Sequence, residues 1–226
     1  MSEFKKNIKA LREFLIKYVI VYILLFFISF NFWQDILKIL SKPIKEKMIF
    51  TSLTEPFFTA LKIASFSSLF LSIPFFIYFL WQFIMPALYK NEKKLFLIIS
   101  ISSIFMFLSG ALFAYFIVFP IGFKLLIKFA GSNFLAMLKM SEYVSFSIKL
   151  LIAFGIAFEL PVISFILTKL KIISYKDLIS FSRYAVVITF IIAAILTPPD
   201  IFSQIAMAIP LLGLYALSIF ISKIAG

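Results

Sequence analysis

The chain of 226 residues contains no cysteine and no histidine. Without Cys there is no disulfide framework, redox pair or thiolate metal site. Without His there is no Ser-His-Asp or Cys-His nucleophile pair, and no His-ligated zinc or haem. Glycine is scarce at 6, and only 14% of residues are charged, with 10 acidic against 22 basic. Soluble domains average about 25% charged and about 45–50% apolar. Here 63% are apolar, and phenylalanine alone supplies 32 residues. A soluble fold of this size leaves roughly a quarter or more of its unfolded surface wet, too much for such a composition. The same composition excludes disorder. The chain reads as an integral membrane protein.

The net charge is +12. In a soluble protein that balance would suggest nucleic acid. Here the basic residues stand in short clusters between apolar runs, which reads as topology and lipid headgroups. Nothing reads as an enzyme. No nucleophile has a base, no carboxylates pair closely in sequence, and no Gly-rich phosphate loop appears.

The apolar runs predict an all-α protein with six transmembrane helices, at about 14–33, 60–84, 95–121, 143–168, 184–197 and 201–222. The first run is too long for the apolar part of a leader, and no small-residue cleavage site follows it. The second holds Pro74 and ends near Pro86, so it is expected to bend. A short amphipathic helix is expected around Ile36–Leu40. Thr197-Pro198-Pro199-Asp200 is a turn, making a hairpin of the last two helices. The fifth helix, at about 14 residues, would reach only about 21 Å. That is short for a bilayer core of roughly 30 Å. An even number of spans puts both termini on one side. Lys5, Lys6, Lys9, Arg12 and Lys17, together with the basic residues near 90 and 176, make that side cytoplasmic.

Charges within spans are functional candidates, because desolvation is costly. Lys149 has a stem long enough to snorkel to water. Glu159 is deeper and shorter, and a pair with Lys149 fails because ten residues of helix is about 15 Å. Glu159 is therefore either protonated or faces a wet cavity, with Pro161 freeing a carbonyl nearby. Glu92 and Asp200 each suit the first turn of a helix. Thr197 and Gln204 add polar groups of the kind that bond neighbouring helices.

Local strings carry a resemblance. Phe83-Ile84-Met85-Pro86-Ala87-Leu88-Tyr89-Lys90-Asn91-Glu92-Lys93-Lys94 resembles the first cytoplasmic loop of the TatC family, the signal-peptide receptors of the twin-arginine translocase. Gly110-Ala111-Leu112-Phe113-Ala114-Tyr115-Phe116, Ala153-Phe154-Gly155-Ile156-Ala157-Phe158-Glu159-Leu160-Pro161 and Leu196-Thr197-Pro198-Pro199-Asp200-Ile201-Phe202-Ser203-Gln204 resemble its later helices. The matches run in order along nearly the whole chain.

The resemblance implies a concave, glove-like bundle with no catalytic activity, cofactor or metal. It implies a multi-pass protein of the bacterial inner membrane that binds twin-arginine signal peptides of folded cargo. It further implies TatA-type and TatB-type single-span partners, self-association in the complex, and export driven by the proton-motive force. Glu92, Phe83, Leu88, Tyr89, Lys93, Arg12 and Glu13 become the expected signal-peptide residues. Glu159 would line a groove, and Thr197, Gln204 and Asp200 would dock a partner helix. An ion- or proton-coupled transporter built on Glu159 is the alternative, but the Glu92 loop and the final hairpin are features it does not need.

Two positions depart from the family; one is Ala216, where the family often has an acid in its last helix. Its N-terminal motif, roughly His-Leu-x-Glu-Leu-Arg, is here Asn7-Ile8-Lys9-Ala10-Leu11-Arg12, so the acid is replaced by Ala10. Glu13 lies three residues on. Either Arg12 neutralises it, or Glu13 takes over the missing role, or Glu92 acts alone.

Overall fold

A backbone in hydrocarbon finds no water to bond, so apolar runs must satisfy their own N–H and C=O groups as helices. The computed structural model of the chain describes residues 2–44, 48–87, 89–130, 138–197 and 201–226, with the backbone alone at 2–7, 87, 90–92 and 125–130. The elements are α1 (Ser2–Asn31), α2 (Trp33–Ser41), β1 (Met48–Ile49), α3 (Glu55–Ile84), α4 (Lys90–Phe113), α5 (Phe119–Ala130), β2 (Leu138–Lys139), α6 (Met140–Ala157), α7 (Leu160–Lys169), α8 (Tyr175–Leu196) and α9 (Ile201–Ala225). Strands β1 and β2 pair with each other. Among the described residues, six segments are long and apolar enough to cross a membrane, namely Ile8–Asn31, Glu55–Ile84, Lys93–Lys124, Met140–Lys169, Tyr175–Leu196 and Ile201–Ala225. The expected all-α, six-span class is what the chain adopts.

Three spans differ in detail from the sequence reading. The fourth is not one helix. It breaks at Phe158–Glu159 between α6 and α7. Pro161 sits in the first turn of α7, where its missing N–H does no harm, and it cannot continue the hydrogen-bond ladder of α6. The third run passes through a π-helical stretch, Ala114–Val118, and continues to Ala130. Pro120 follows directly, and the Phe119 N–H reaches back to the Ala114 carbonyl, one residue further than in an α-helix. The fifth span was expected to start near 184 and fall short of the bilayer. Helix α8 instead starts at Tyr175 and has 22 residues, about 33 Å. Charges at Lys176, Asp177 and Arg183 look like a loop in the sequence, but nothing about them opposes helix. Ser174 and Asp177 form a reciprocal capping box, with Ser174 N donating to Asp177 Oδ2 at 2.8 Å. The helix therefore spans; only its uncharged part is short.

The contacts group the chain into two units. The first comprises Met1–Leu40, Phe50–Ile104 and Lys139–Val144. In it α1 packs along α3. Tyr18 Oη lies 3.0 Å from Ser72 Oγ, and Tyr22 Oη donates to the Ser65 carbonyl at 3.4 Å. Buried Phe14 packs against Phe76 and Phe83, with ring centroids 5.6 and 6.1 Å away. At the other end, Glu55 ties two distant segments together. Its carboxylate accepts from Thr51 N at 2.8 Å, from Thr51 Oγ1 at 3.1 Å and from Ser141 N at 3.1 Å. Lys62 donates to Ser141 Oγ at 2.9 Å, and the Tyr143 hydroxyl donates to the Leu40 carbonyl. The orphan amide of Ser141 at the start of α6 is thus capped by a residue 86 positions earlier.

The second unit comprises Ser41–Ile49, Phe105–Leu138 and Ser145–Gly226. Helix α9 packs on α7 and α8. Thr168 Oγ1 lies 2.6 Å from Ser222 Oγ, Ser164 Oγ donates to the Ser218 carbonyl at 3.2 Å, and Tyr215 Oη donates to the Leu178 carbonyl at 2.6 Å. Helices α4 and α6 approach so closely that only glycine fits. A Cβ added to Gly110 would stand 2.4 Å from the Phe154 carbonyl oxygen, and one added to Gly155 would stand 2.7 Å from the Phe107 ring. A backbone carbonyl cannot move aside as a side chain can. Gly110→Ala is expected to destabilise the protein by about 1–3 kcal/mol, the usual cost of overpacking. Gly122→Ala, whose Cβ would meet nothing within 4 Å, should be neutral or mildly stabilising. Thermal unfolding of the two variants in detergent checks the contrast.

Candidate functional site

Helical spacing brings one cluster of the expected residues together. Ala10, Glu13, Phe14 and Lys17 recur at i, i+3, i+4 and i+7, one face of α1. Phe79, Gln82 and Phe83 recur at i, i+3 and i+4 on α3. These two faces line a shared recess of about 130 Å³ in the first unit. Phe14 anchors it, stacked on Phe83 at 30° between ring planes. Glu13 is exposed, as are Ala10 and Arg12. Among the described residues, no ion pair within 4.0 Å involves Glu13; the pairs found are Lys38–Asp35 at 2.8 Å and Lys139–Glu142 at 3.4 Å. Gln82 Nε2 donates to Tyr78 Oη at 2.9 Å.

Phe79, Gln82 and Lys17 were not among the residues expected from sequence. For Lys17 and Phe79 the signal was the helical period itself, since each lies one turn from a residue that was expected, Glu13 and Phe83; Gln82 is the neighbour of Phe83 and one turn from Phe79.

The start of α4 belongs to the same unit. A Trp81–Phe96 ring contact at 5.4 Å holds it against the end of α3. Glu92 lies in the first turn of α4, one turn before Phe96, and its side chain lies outside the described residues. Leu88 also lies outside them. Tyr89 is 79% exposed just before α4, and Lys93 is half-buried.

Glu159 is half-buried at the break between α6 and α7. Its N–H donates to the Ile156 carbonyl at 3.0 Å, and its carbonyl accepts from Ile163 N at 2.8 Å. Adjacent Phe158 packs on Phe113, with centroids 5.5 Å apart. An acid thus stands where the span divides into two helices.

Thr197 is buried at the end of α8, and its Oγ1 donates to the Ala193 carbonyl at 2.8 Å. It lines a small, mainly apolar cavity of about 40 Å³ with Ile117, Gly122, Met207 and Pro210. Gln204 is half-buried and donates to the Phe190 carbonyl at 3.0 Å, tying α9 to α8. Asp200 lies outside the described residues. Gln204 therefore ties the two helices of the hairpin to each other, while the Thr197 bond stays within α8.

Spans of this kind, with acids at a helix start and at a helix break, define a multi-pass helical membrane protein. The profile of the family described as "Sec-independent protein translocase protein (TatC)" matches residues 6–210. The TatC of Helicobacter pylori strain J99 is 41% identical over 222 residues, covering 98% of this chain and 89% of that protein. TatC of Aquifex aeolicus strain VF5 is 40% identical, over 97% of this chain and 94% of its own length. TatC of Escherichia coli K12 is 37% identical, over 94% and 85%. A solved structure described as "Crystal Structure of Twin Arginine Translocase Receptor- TatC" superposes with a TM-score of 0.83 at 41% identity, covering 97% of this chain and 99% of that one. The chain belongs to the TatC family of Sec-independent protein translocase components, a non-enzymatic transport family.

The Gln204 bond gives a direct test of the hairpin. Gln204→Leu should lower stability by about 0.6 kcal/mol, the average for a hydrogen bond between membrane helices. A larger loss would mean that Gln204 also organises the Phe190 end of α8. Unfolding in mixed micelles measures it.

Proposed function

We propose that this protein is the receptor core of a twin-arginine export system, binding the signal peptides of folded cargo. The observation that carries this reading is the 0.83 superposition, over nearly the full length of both chains, on a structure described as a twin-arginine translocase receptor. Two guanidinium groups at a membrane surface need carboxylates, which they grip bidentately. Glu92, in the first turn of α4, is the acid we assign to that task. Phe83, Tyr89 and Leu88 supply apolar surface around it, and Lys93 and Arg12 flank the site.

In this reading the chain lies in the bacterial cytoplasmic membrane with both termini cytoplasmic, as its basic clusters favour. Single-span TatA-type and TatB-type subunits dock near Thr197, Asp200 and Gln204, copies of the chain associate in the complex, and the proton-motive force drives transport. Glu159 lines a groove in this reading. A broken span is also a habit of secondary transporters, but membership of a translocase family outweighs that analogy.

Glu92→Gln tests the reading. Removing a charge-assisted bond to arginine is worth about 1.5–3 kcal/mol, or about ten-fold or more in binding. Site-specific crosslinking to a twin-arginine peptide should fall by that factor, while the protein still inserts and unfolds normally. Undiminished crosslinking would remove Glu92 from the site.

A further inference from the structure

We propose that the recess where α7 ends, α8 begins and α9 ends binds a zwitterionic phospholipid headgroup, with Lys171 holding its phosphate and Asp177 its ammonium. The inference goes beyond the signal-peptide reading and does not depend on it. The recess lies within the second unit and has a volume of about 360 Å³. Buried Thr168 and Ser222 line it and bond each other at 2.6 Å, closing its inner side. Lys171 and Asp177 also line it and are exposed, yet they form no ion pair with each other within 4.0 Å.

Each charge is available to a ligand. Helix α7 closes with two backbone bonds, from Lys171 N to the Thr168 carbonyl and from Ile172 N to the Leu167 carbonyl, both at 2.9 Å. That closure requires a left-handed residue, which is usually glycine. Lys171 takes the position at φ 57°, the one positive-φ residue other than glycine among those described. The turn therefore carries a cation where the backbone alone favours glycine. The Lys171 ammonium makes no hydrogen bond or ion pair with the described residues. Asp177 spends one oxygen on the fold: Oδ2 accepts from Ser174 N at 2.8 Å and from Ser174 Oγ at 2.7 Å. Its Oδ1 makes no hydrogen bond with the described residues. The carboxylate caps α8 and still keeps an oxygen for a further donor.

Opposite charges that face one recess without pairing match a ligand that carries both signs. A simple anion meets the repulsion of Asp177, and a simple cation meets that of Lys171. The phosphate and primary ammonium of an ethanolamine headgroup satisfy both. A primary ammonium also donates hydrogen bonds to a carboxylate, which a quaternary choline cannot do. The setting selects a lipid over soluble phosphoethanolamine. Three membrane-spanning segments end at the recess, which places it at the bilayer surface. Ile172 and Ile173 line it, and Leu170 and Ile172 are 59% and 64% exposed beside Lys169 and Lys171. Apolar side chains interleaved with lysines suit the boundary between headgroups and acyl chains.

Native mass spectrometry of the full chain tests the site, after delipidation in detergent and addition of phosphatidylethanolamine, phosphatidylcholine or phosphatidylglycerol with the same acyl chains. The wild type should retain one phosphatidylethanolamine about ten-fold more tightly than either other lipid. Asp177→Asn keeps an oxygen for Ser174. It should bring phosphatidylethanolamine down to the phosphatidylcholine level and leave phosphatidylcholine unchanged. Lys171→Gly should weaken both of those lipids alike, about three- to ten-fold at low salt. It should unfold no earlier than the wild type, because glycine suits the left-handed turn. Loss of lipid without loss of stability separates binding from a structural role.

Equal retention of the three lipids by the wild type would overturn the site. So would an Asp177→Asn variant that still prefers phosphatidylethanolamine. If Asp177→Asn does not fold, Lys171→Gly decides alone, and undiminished retention by that variant overturns the proposal. Displacement of the lipid by soluble phosphoethanolamine at the same concentration would overturn the lipid as the occupant.

Discussion

Everything in this structure depends on one constraint: a peptide group in hydrocarbon must find its partner within the protein. Long uninterrupted helices meet it by default. The informative places are those where proline prevents that default. At Pro161 the span divides into α6 and α7, with Glu159 between them. Just before Pro120 the helix widens, so that the Phe119 N–H reaches back five residues to Ala114 instead of four. Neither break is left bare, since Phe158 packs on Phe113 beside the first and Phe119, fully buried, closes the second. Gly110 allows α4 to approach the Phe154 carbonyl just before the break.

The same constraint governs the side chains. Several hydroxyls in the spans return to their own helix, as with Ser68 to the Ser65 carbonyl, Ser72 to Leu69, Ser100 to Phe96 and Thr168 to Ser164. Bonded this way, they add polarity without adding demand. Where two such residues face each other, as at Thr168 and Ser222, they also join helices that have no hydrophobic drive to associate in lipid. Glu55 does this with a charge, joining Thr51 to the start of α6 where α-helical amides lack partners. Glu13 departs from the pattern. Its carboxylate has no hydrogen bond or ion pair with the described residues, and it stands where three phenylalanines and an amide converge.

The sequence by itself determined the class of the protein and the number of spans. Apolar runs of about 20 residues are fixed by bilayer thickness, and composition reports them without reference to any other part of the chain. Charge was a poorer guide to where helices begin. Lys176, Asp177 and Arg183 resemble a loop because polarity and irregular structure usually coincide, yet the capping box at Ser174 starts α8 among them. Likewise no local pattern announces what Glu55 does, since its partner Ser141 is 86 residues away. Pro161 marked a perturbation in the fourth span, but whether a proline bends a helix or divides it depends on what packs at the break. The recess that joins Ala10 and Glu13 to Phe79, Gln82 and Phe83 required α1 to lie along α3 in one register. Each helical face was legible as a period of 3.6, but their meeting was decided only by tertiary packing, because periodicity fixes which residues share a face and not which face lies opposite.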